Sequence, residues 1–233
     1  MNRVAIVTSH ISTGSAVSSD VLGMRAALEK HGIDARVYAE SSDLEQPQVW
    51  PVGEINDFLK ERNDLLIYHH SIGWNPALGL VRDLNCRTVI KYHNITPPSF
   101  FSGISAWHET ACRAGREQLQ AIVDAGCDLY LSDSDYNQQE LLAAGAPEAK
   151  SFVVPPFHEI DRLNSLDADL DTLDRYRDGR AILLSVSRVL PHKGHADLIE
   201  AFAIYHHDHN QNSRLLIVGP EDEALKAYSK ELR

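Results

Sequence analysis

The chain is poor in cysteine, methionine and positive charge, and it has no long apolar run. Its 233 residues include three cysteines, two methionines, and 22 Lys plus Arg against 33 Asp plus Glu. Cys86, Cys112 and Cys127 are an odd set with no paired or metal-type spacing. That pattern excludes a disulfide scaffold and reads as reduced core thiols. No stretch approaches about 18 apolar residues, so no membrane-spanning helix is expected. The first apolar run, Val4–Val7, is too short for the core of a secretory signal. The formal net charge of −11 argues against non-specific attraction to nucleic acid or to an anionic membrane. The expectations are therefore no nucleic-acid partner, at most peripheral membrane contact, and a cytoplasmic protein or one resting on the inner membrane face. What is present is 43% hydrophobic residues, enough for a substantial core. The length is long for one domain and short for two, at about 150 residues each.

Short apolar runs alternate with amphipathic stretches along the chain. Val4–Val7, Ala35–Tyr38, Leu65–Tyr68, Thr88–Tyr92, Leu129–Leu131 and Phe152–Val154 read as strands. The first of these is continuously apolar, as in a parallel strand buried on both faces. Between them, helices are expected over about 16–31, 54–61, 75–84, 105–125 and 134–144, and the polar stretch 41–51 reads as loop. Gly32 and Gly126 stop two helices, and Ser134 or Asp135 caps another. This alternation predicts an α/β protein with a doubly wound parallel sheet. A charged connector or short helix over 161–180 leads to a second α/β unit beginning near Ala181.

That second unit carries the most chemistry. A strand over Ala181–Val186 runs into Ser187-Arg188 and the turn Pro191-His192-Lys193-Gly194; a helix follows from about Ala196, then a strand over Leu215–Val218 ending at Gly219. Arg188 and Lys193 thus share one strand-to-helix connection, where open α/β sheets bind ligands. Arg offers a planar fork of donors, Lys a point charge, and a helix start adds about half a positive charge, a set suited to a diphosphate.

The arrangement Ser187-Arg188 … Pro191-His192-Lys193-Gly194, then Leu198-Ile199-Glu200-Ala201-Phe202 and Leu215-Leu216-Ile217-Val218-Gly219, resembles the nucleotide-sugar domain of the retaining family 4 glycosyltransferases of the GT-B fold. The resemblance extends to His93-Asn94-Ile95-Thr96-Pro97 with its following aromatics, to Tyr68-His69-His70-Ser71-Ile72-Gly73, and to Leu131-Ser132-Asp133-Ser134-Asp135-Tyr136-Asn137. These match a subgroup that builds bacterial surface polysaccharides. The fold it implies is GT-B: a complete N-terminal Rossmann-like domain and the first part of a second. It divides the chain into an acceptor-side domain over 1–165, a connector over 166–179 and a partial nucleotide-sugar-binding domain over 180–233.

The implied activity moves a sugar, a hexose, from a nucleotide diphosphate donor to a glycan or lipid-linked acceptor in polysaccharide biosynthesis. Arg188, Lys193 and Gly14 are the candidate residues for the donor diphosphate. Gly14 is placed there because only glycine lets the backbone approach a ligand without a Cβ clash. His93 is the candidate catalytic residue, orienting the sugar, and His69, His70 and Asn94 are candidates for the cleft or acceptor. No metal and no cofactor are implied. His206, His207 and His209 read as a solvated helix end.

The resemblance also implies a Glu-x7-Glu pair further along. Glu223 and Glu231 have that spacing but read as part of the first helix after the strand, so the match is accidental. The second domain is expected to be cut after two strands, completed by a missing segment or a partner chain. Two alternatives follow: a catalytically dead nucleotide-sugar-binding or accessory subunit, and a nucleotide-sugar epimerase of the same fold.

Overall fold

The computed structural model describes residues 3–158 and 164–233. The first residues of the expected connector, 161–163, lie outside them. The chain divides into two compact units, Met1–Ile95 with Thr110–Ile160, and Thr96–Glu109 with Asp161–Arg233.

The first unit is built on a seven-stranded sheet, all parallel, in the order β3-β2-β1-β4-β5-β6-β7. The strands are β1 (Arg3–Ile11), β2 (Asp34–Ser42), β3 (Val49–Pro51), β4 (Leu65–His70), β5 (Arg87–Tyr92), β6 (Leu129–Ser132) and β7 (Ser151–Val153). Helices α1 (Ala16–Lys30), α2 (Ile55–Phe58), α3 (Pro76–Asp83), α4 (Ala106–Ala125) and α5 (Asp135–Ala143) form the crossovers. β1 is an interior strand, and Ala5, Ile6 and Val7 have no exposed surface, which is why its sequence is apolar without alternation. Ile6, Ile11, Val21, Met24, Val37 and Ile67 anchor the core against α1.

Two polar devices fix the ends of this sheet. At its amino end the buried Asp64 accepts from the Arg3 backbone N–H and guanidinium and from the backbone N–H of Lys60 and Glu61. At the start of α1, Ser15 accepts from the Ser18 N–H, and at α5 Ser134 accepts from the Asn137 N–H. Strand β3, within the stretch expected to be loop, pairs with β2 through Val49, Trp50 and Pro51. Its Pro51 ends an edge strand, the position where a missing N–H is tolerated.

The loop after β4 passes so close to α4 that a Cβ on Gly73 would lie 2.8 Å from the Ala114 Cβ and the Gly115 nitrogen. A Cβ on Gly115 would meet the Gly73 nitrogen at 2.7 Å. Two backbones touch here, and both positions require glycine.

The second unit holds two parallel strands, β8 (Ala181–Val186) and β9 (Ser213–Val218), in register from Ala181↔Ser213 to Val186↔Val218. Helix α6 (Leu170–Arg175) precedes them, α7 (His195–Asp208) connects them, and α8 (Lys226–Glu231) follows. Glu223 and Glu231 sit in the helical turns after β9, as their reading as an accidental pair requires. Ile182, Leu184 and Val186 alternate along one face of β8 and are exposed, as is Val218.

Candidate functional site

The first unit gathers titratable side chains at the carboxyl ends of its central strands. Here the strand order reverses between β1 and β4, and an open parallel sheet forms its crevice. His69 and His70 end β4, Lys91 and Tyr92 end β5 with His93 just beyond, and Asp133 follows β6. Asp20 comes from α1, the crossover after β1. Asp20, His69 and Lys91 are fully buried, and His93 is 6% exposed.

The bonds form a chain. Lys91 Nζ lies 2.7 Å from Asp133 Oδ1 and also donates to the Val154 carbonyl. Asp133 Oδ2 is 2.8 Å from His93 Nδ1, and His93 Nε2 is 2.9 Å from His69 Nδ1. With Asp133 ionised, His93 carries its hydrogen on Nδ1 and turns a lone pair at Nε2 toward His69. The His69 and His93 rings stack at 5.1 Å. Burial would raise the Asp133 carboxyl, but the hydrogen bond and charge of His93 and then of Lys91 outweigh it and hold it below the usual range. Burial, with the neighbouring His93 and Lys91, pushes His69 well below the ordinary histidine value, so it is neutral. Burial raises Asp20 despite the N–H bond from Phe157.

The structure gives the expected site residues different surroundings. His93 lies inside this network, and His69 is its direct partner rather than a surface facing a ligand. His70 is packed away: its Nδ1 meets the Tyr68 hydroxyl at 3.0 Å and its Nε2 the Gly115 carbonyl at 2.8 Å. Burial pushes it down to about 4. It locks β4 to α4, so the expectation of a ligand-facing His70 is corrected. Asn94 is exposed. Gly14 is exposed too, with φ +73° and, among the described residues, no atom within 4 Å of where a Cβ would stand. Its left-handed backbone is by itself a reason for glycine at this position.

In the second unit, Pro191–Lys193 forms one 3-10 turn, Gly194 follows in the left-handed region at φ 68°, and α7 starts at His195. Lys193 is exposed. Arg188 Nη2 donates to Asp222 Oδ2 at 3.0 Å while half of its side chain stays exposed. His195 is buried, and its Nε2 meets Ser187 Oγ at 3.1 Å, tying the strand end to the helix start. Gly219 ends β9 where a Cβ would lie 1.9 Å from the Ser187 carbonyl oxygen. His192 packs edge-on to Phe100 and Phe101 at 6.3 and 6.0 Å. His207 and His209 are exposed at the end of α7, and His206 Nδ1 bonds Ser213 Oγ.

Sequence reasoning missed Asp20, Lys91, Asp133 and Asp222. Two left a signal: Asp20 interrupts the apolar stripe of α1 between Val17 and Met24, and Lys91 interrupts an apolar strand. A charge placed where burial is expected is retained only with a partner.

Residues 174–233 match the profile of the family described as Glycosyl transferases group 1. No curated protein matches the chain by sequence. Among solved structures, the chain is similar to HepE of Anabaena in complex with UDP and glucose, at 17% identity and a TM-score of 0.63, over 100% of this chain and 65% of that one. It is similar to an alpha-glucosyltransferase in complex with UDP-glucose and DNA containing an abasic site, at 16% identity and a TM-score of 0.63, over 98% and 60%. It is also similar to the α,α-trehalose 6-phosphate synthase of Burkholderia multivorans, at 11% identity and a TM-score of 0.62, over 100% and 68%. The chain spans less than two thirds of the length of the first two. At these identities the likeness shows the fold: Rossmann-like α/β units of the GT-B type.

One expectation is overturned. The acidic net charge argues against nucleic acid, yet a protein of this fold is seen in complex with DNA. Net charge is a sum over the whole surface, whereas phosphate contacts depend on local cations, so the sum does not exclude that partner class. No helix among the described residues is long and apolar enough to cross a membrane.

Proposed function

We propose that this chain contributes to a retaining glycosyltransferase, transferring a hexose from a nucleotide diphosphate to a glycan or lipid-linked acceptor in the building of a surface polysaccharide. What supports this reading is the connection from β8 to α7: Arg188 follows the strand and Lys193 lies in the turn before the helix, both inside the segment matching the group 1 profile.

The chemistry follows from charge. Breaking the bond between sugar and diphosphate leaves negative charge on the departing phosphate. Donors already fixed where that charge grows stabilise the transition state more than the ground state. The guanidinium fork of Arg188 suits two phosphate oxygens, and Lys193 adds a point charge. Asp222 holds the Arg188 fork in place before a donor arrives. On the first unit, His93 takes the sugar-orienting role that the family resemblance implies. The hydrogen bond from its Nδ1 to Asp133 fixes its ring and tautomer.

The test is calorimetry with UDP on the full chain. Arg188→Ala and Lys193→Ala are each expected to weaken binding at least about tenfold, or about 1.4 kcal/mol. Unchanged affinity in both variants removes the donor assignment.

A further inference from the structure

We propose that Asp20, His69 and His93 form a binding site for one transition-metal dication of the Zn2+ class, with Asp133 as its outer support.

The three facing atoms are Asp20 Oδ2, His69 Nδ1 and His93 Nε2, separated by 2.9, 3.5 and 3.6 Å. A point equidistant from all three lies about 1.9 Å from each in their plane, and about 2.1 Å away once raised some ~0.7 Å, which is the bond length zinc takes to imidazole nitrogen and carboxylate oxygen. All three side chains are buried, and their ligand atoms lie within 4.8 Å of one another. Two imidazoles and a carboxylate suit Zn2+, Co2+ or Ni2+ rather than Ca2+ or Mg2+, which prefer all-oxygen shells.

A second observation points the same way. Asp20 Oδ2 is buried with no hydrogen-bond partner. Its sister oxygen accepts from the Phe157 N–H at 2.7 Å, so the carboxylate is held and Oδ2 is aimed at the two rings. Without a cation the pair of rings shares one hydrogen, on His69 Nδ1 facing His93 Nε2, and the carboxylate oxygen is left over at 3.5 and 3.6 Å. A dication satisfies all three lone pairs at once. The outer support is already built. His93 donates through Nδ1 to Asp133, and Asp133 is held by Lys91, the carboxylate-to-histidine arrangement that orients metal ligands. Loading at His69 Nδ1 moves the His69 hydrogen to Nε2, so both ligating imidazoles stay neutral and no net proton need leave them.

The site does not rest on the donor assignment at Arg188 and Lys193. It does compete with a sugar hydroxyl for His93 Nε2, so a cation and a sugar are alternative occupants of that nitrogen.

The experiment uses the full chain, stripped with a chelator and titrated with Co2+ as a spectroscopic probe, then with Zn2+ under thermal unfolding. Expected are one equivalent of Co2+ with a visible absorption band, displacement of that band by Zn2+, and a rise in Tm with Zn2+. The band is expected to vanish in His69→Gln and Asp20→Asn, and to persist in His207→Ala, which removes an exposed histidine outside the site. Asp133→Asn is expected to keep the band but weaken affinity about 10- to 100-fold, the usual effect of losing an outer-shell partner. Absence of the band in the wild-type chain overturns the proposal without any variant, as does a band that survives His69→Gln or is lost in His207→Ala.

Discussion

At the scale of single residues, buried charge is tolerated in this molecule only where it is answered. Asp64 is the clearest case. Burial alone would raise its carboxyl, but the Arg3 guanidinium and the backbone N–H groups of Glu61, Lys60 and Arg3 drive it well below the usual range. The unfolded chain therefore takes up a proton at Asp64 more readily than the folded one. Its stabilisation is complete above the ordinary carboxylate range, near pH ~4, and fades as pH falls toward the lower folded value. Asp64→Asn is expected to lose about 1.5–3 kcal/mol in urea unfolding at neutral pH, as for hydrogen bonds to a charged group. The variant should also show a shallower loss of stability on acidification. A variant with wild-type stability and acid slope would mean that Arg3 finds an equal partner elsewhere.

Residues of this kind mark the limit of what the sequence discloses. His93, Arg188 and Lys193 are visible in it because each stands where a strand gives way to a turn, and that place has a chemical meaning. Asp20 shows there only as a charge on a buried helix face, because its partners are 49 and 73 positions away and a helix pattern does not name them. His70 misleads for a related reason. Adjacent residues on a strand point to opposite faces, so one of a His-His pair turns toward a neighbouring helix, and only the packing of α4 decides which.

At the scale of elements, the contact between the loop after β4 and helix α4 is the tightest constraint. Gly73 donates its N–H to the Ala111 carbonyl at 3.3 Å, and Gly115 faces it with no room for a methyl group. Gly115→Ala is expected to cost about 1–3 kcal/mol, as overpacking does, although alanine is the better helix former. Gly53→Ala, with nothing within 4 Å of the added Cβ among the described residues, is expected to stay within about 0.5 kcal/mol. Chemical denaturation of the two variants checks the contrast. Equal effects would show that the two backbones can separate at little cost. The strands are legible because continuous apolar runs have one explanation in a parallel sheet. The edge strand β3 is not, since three residues carry no period.

At the scale of the whole molecule, a chain of two compact units is expected to show two unfolding events. The first unit has nearly all of the fully buried side chains, while β8 shows Leu184 and Val186 to solvent at 62% and 70% exposure. The smaller unit is expected to open first on heating, seen as earlier amide exchange in β8 and β9 than in β1 and β4. Leu184→Thr with Val186→Thr is expected to change the free energy of unfolding by less than about 0.5 kcal/mol each. The same pair should reduce binding of a dye that reports exposed apolar surface. A large loss of stability would mean that this face is covered in solution.

The bond from the Phe157 amide to Asp20 joins positions 137 apart in the sequence. During synthesis, the aspartate leaves the ribosome long before the residue that aims it. Until position 157 emerges, that amide cannot steer the acid toward the two imidazoles. The aim of the acid therefore depends on a residue beyond the last strand of the sheet, and a clip between β7 and position 157 would separate the two.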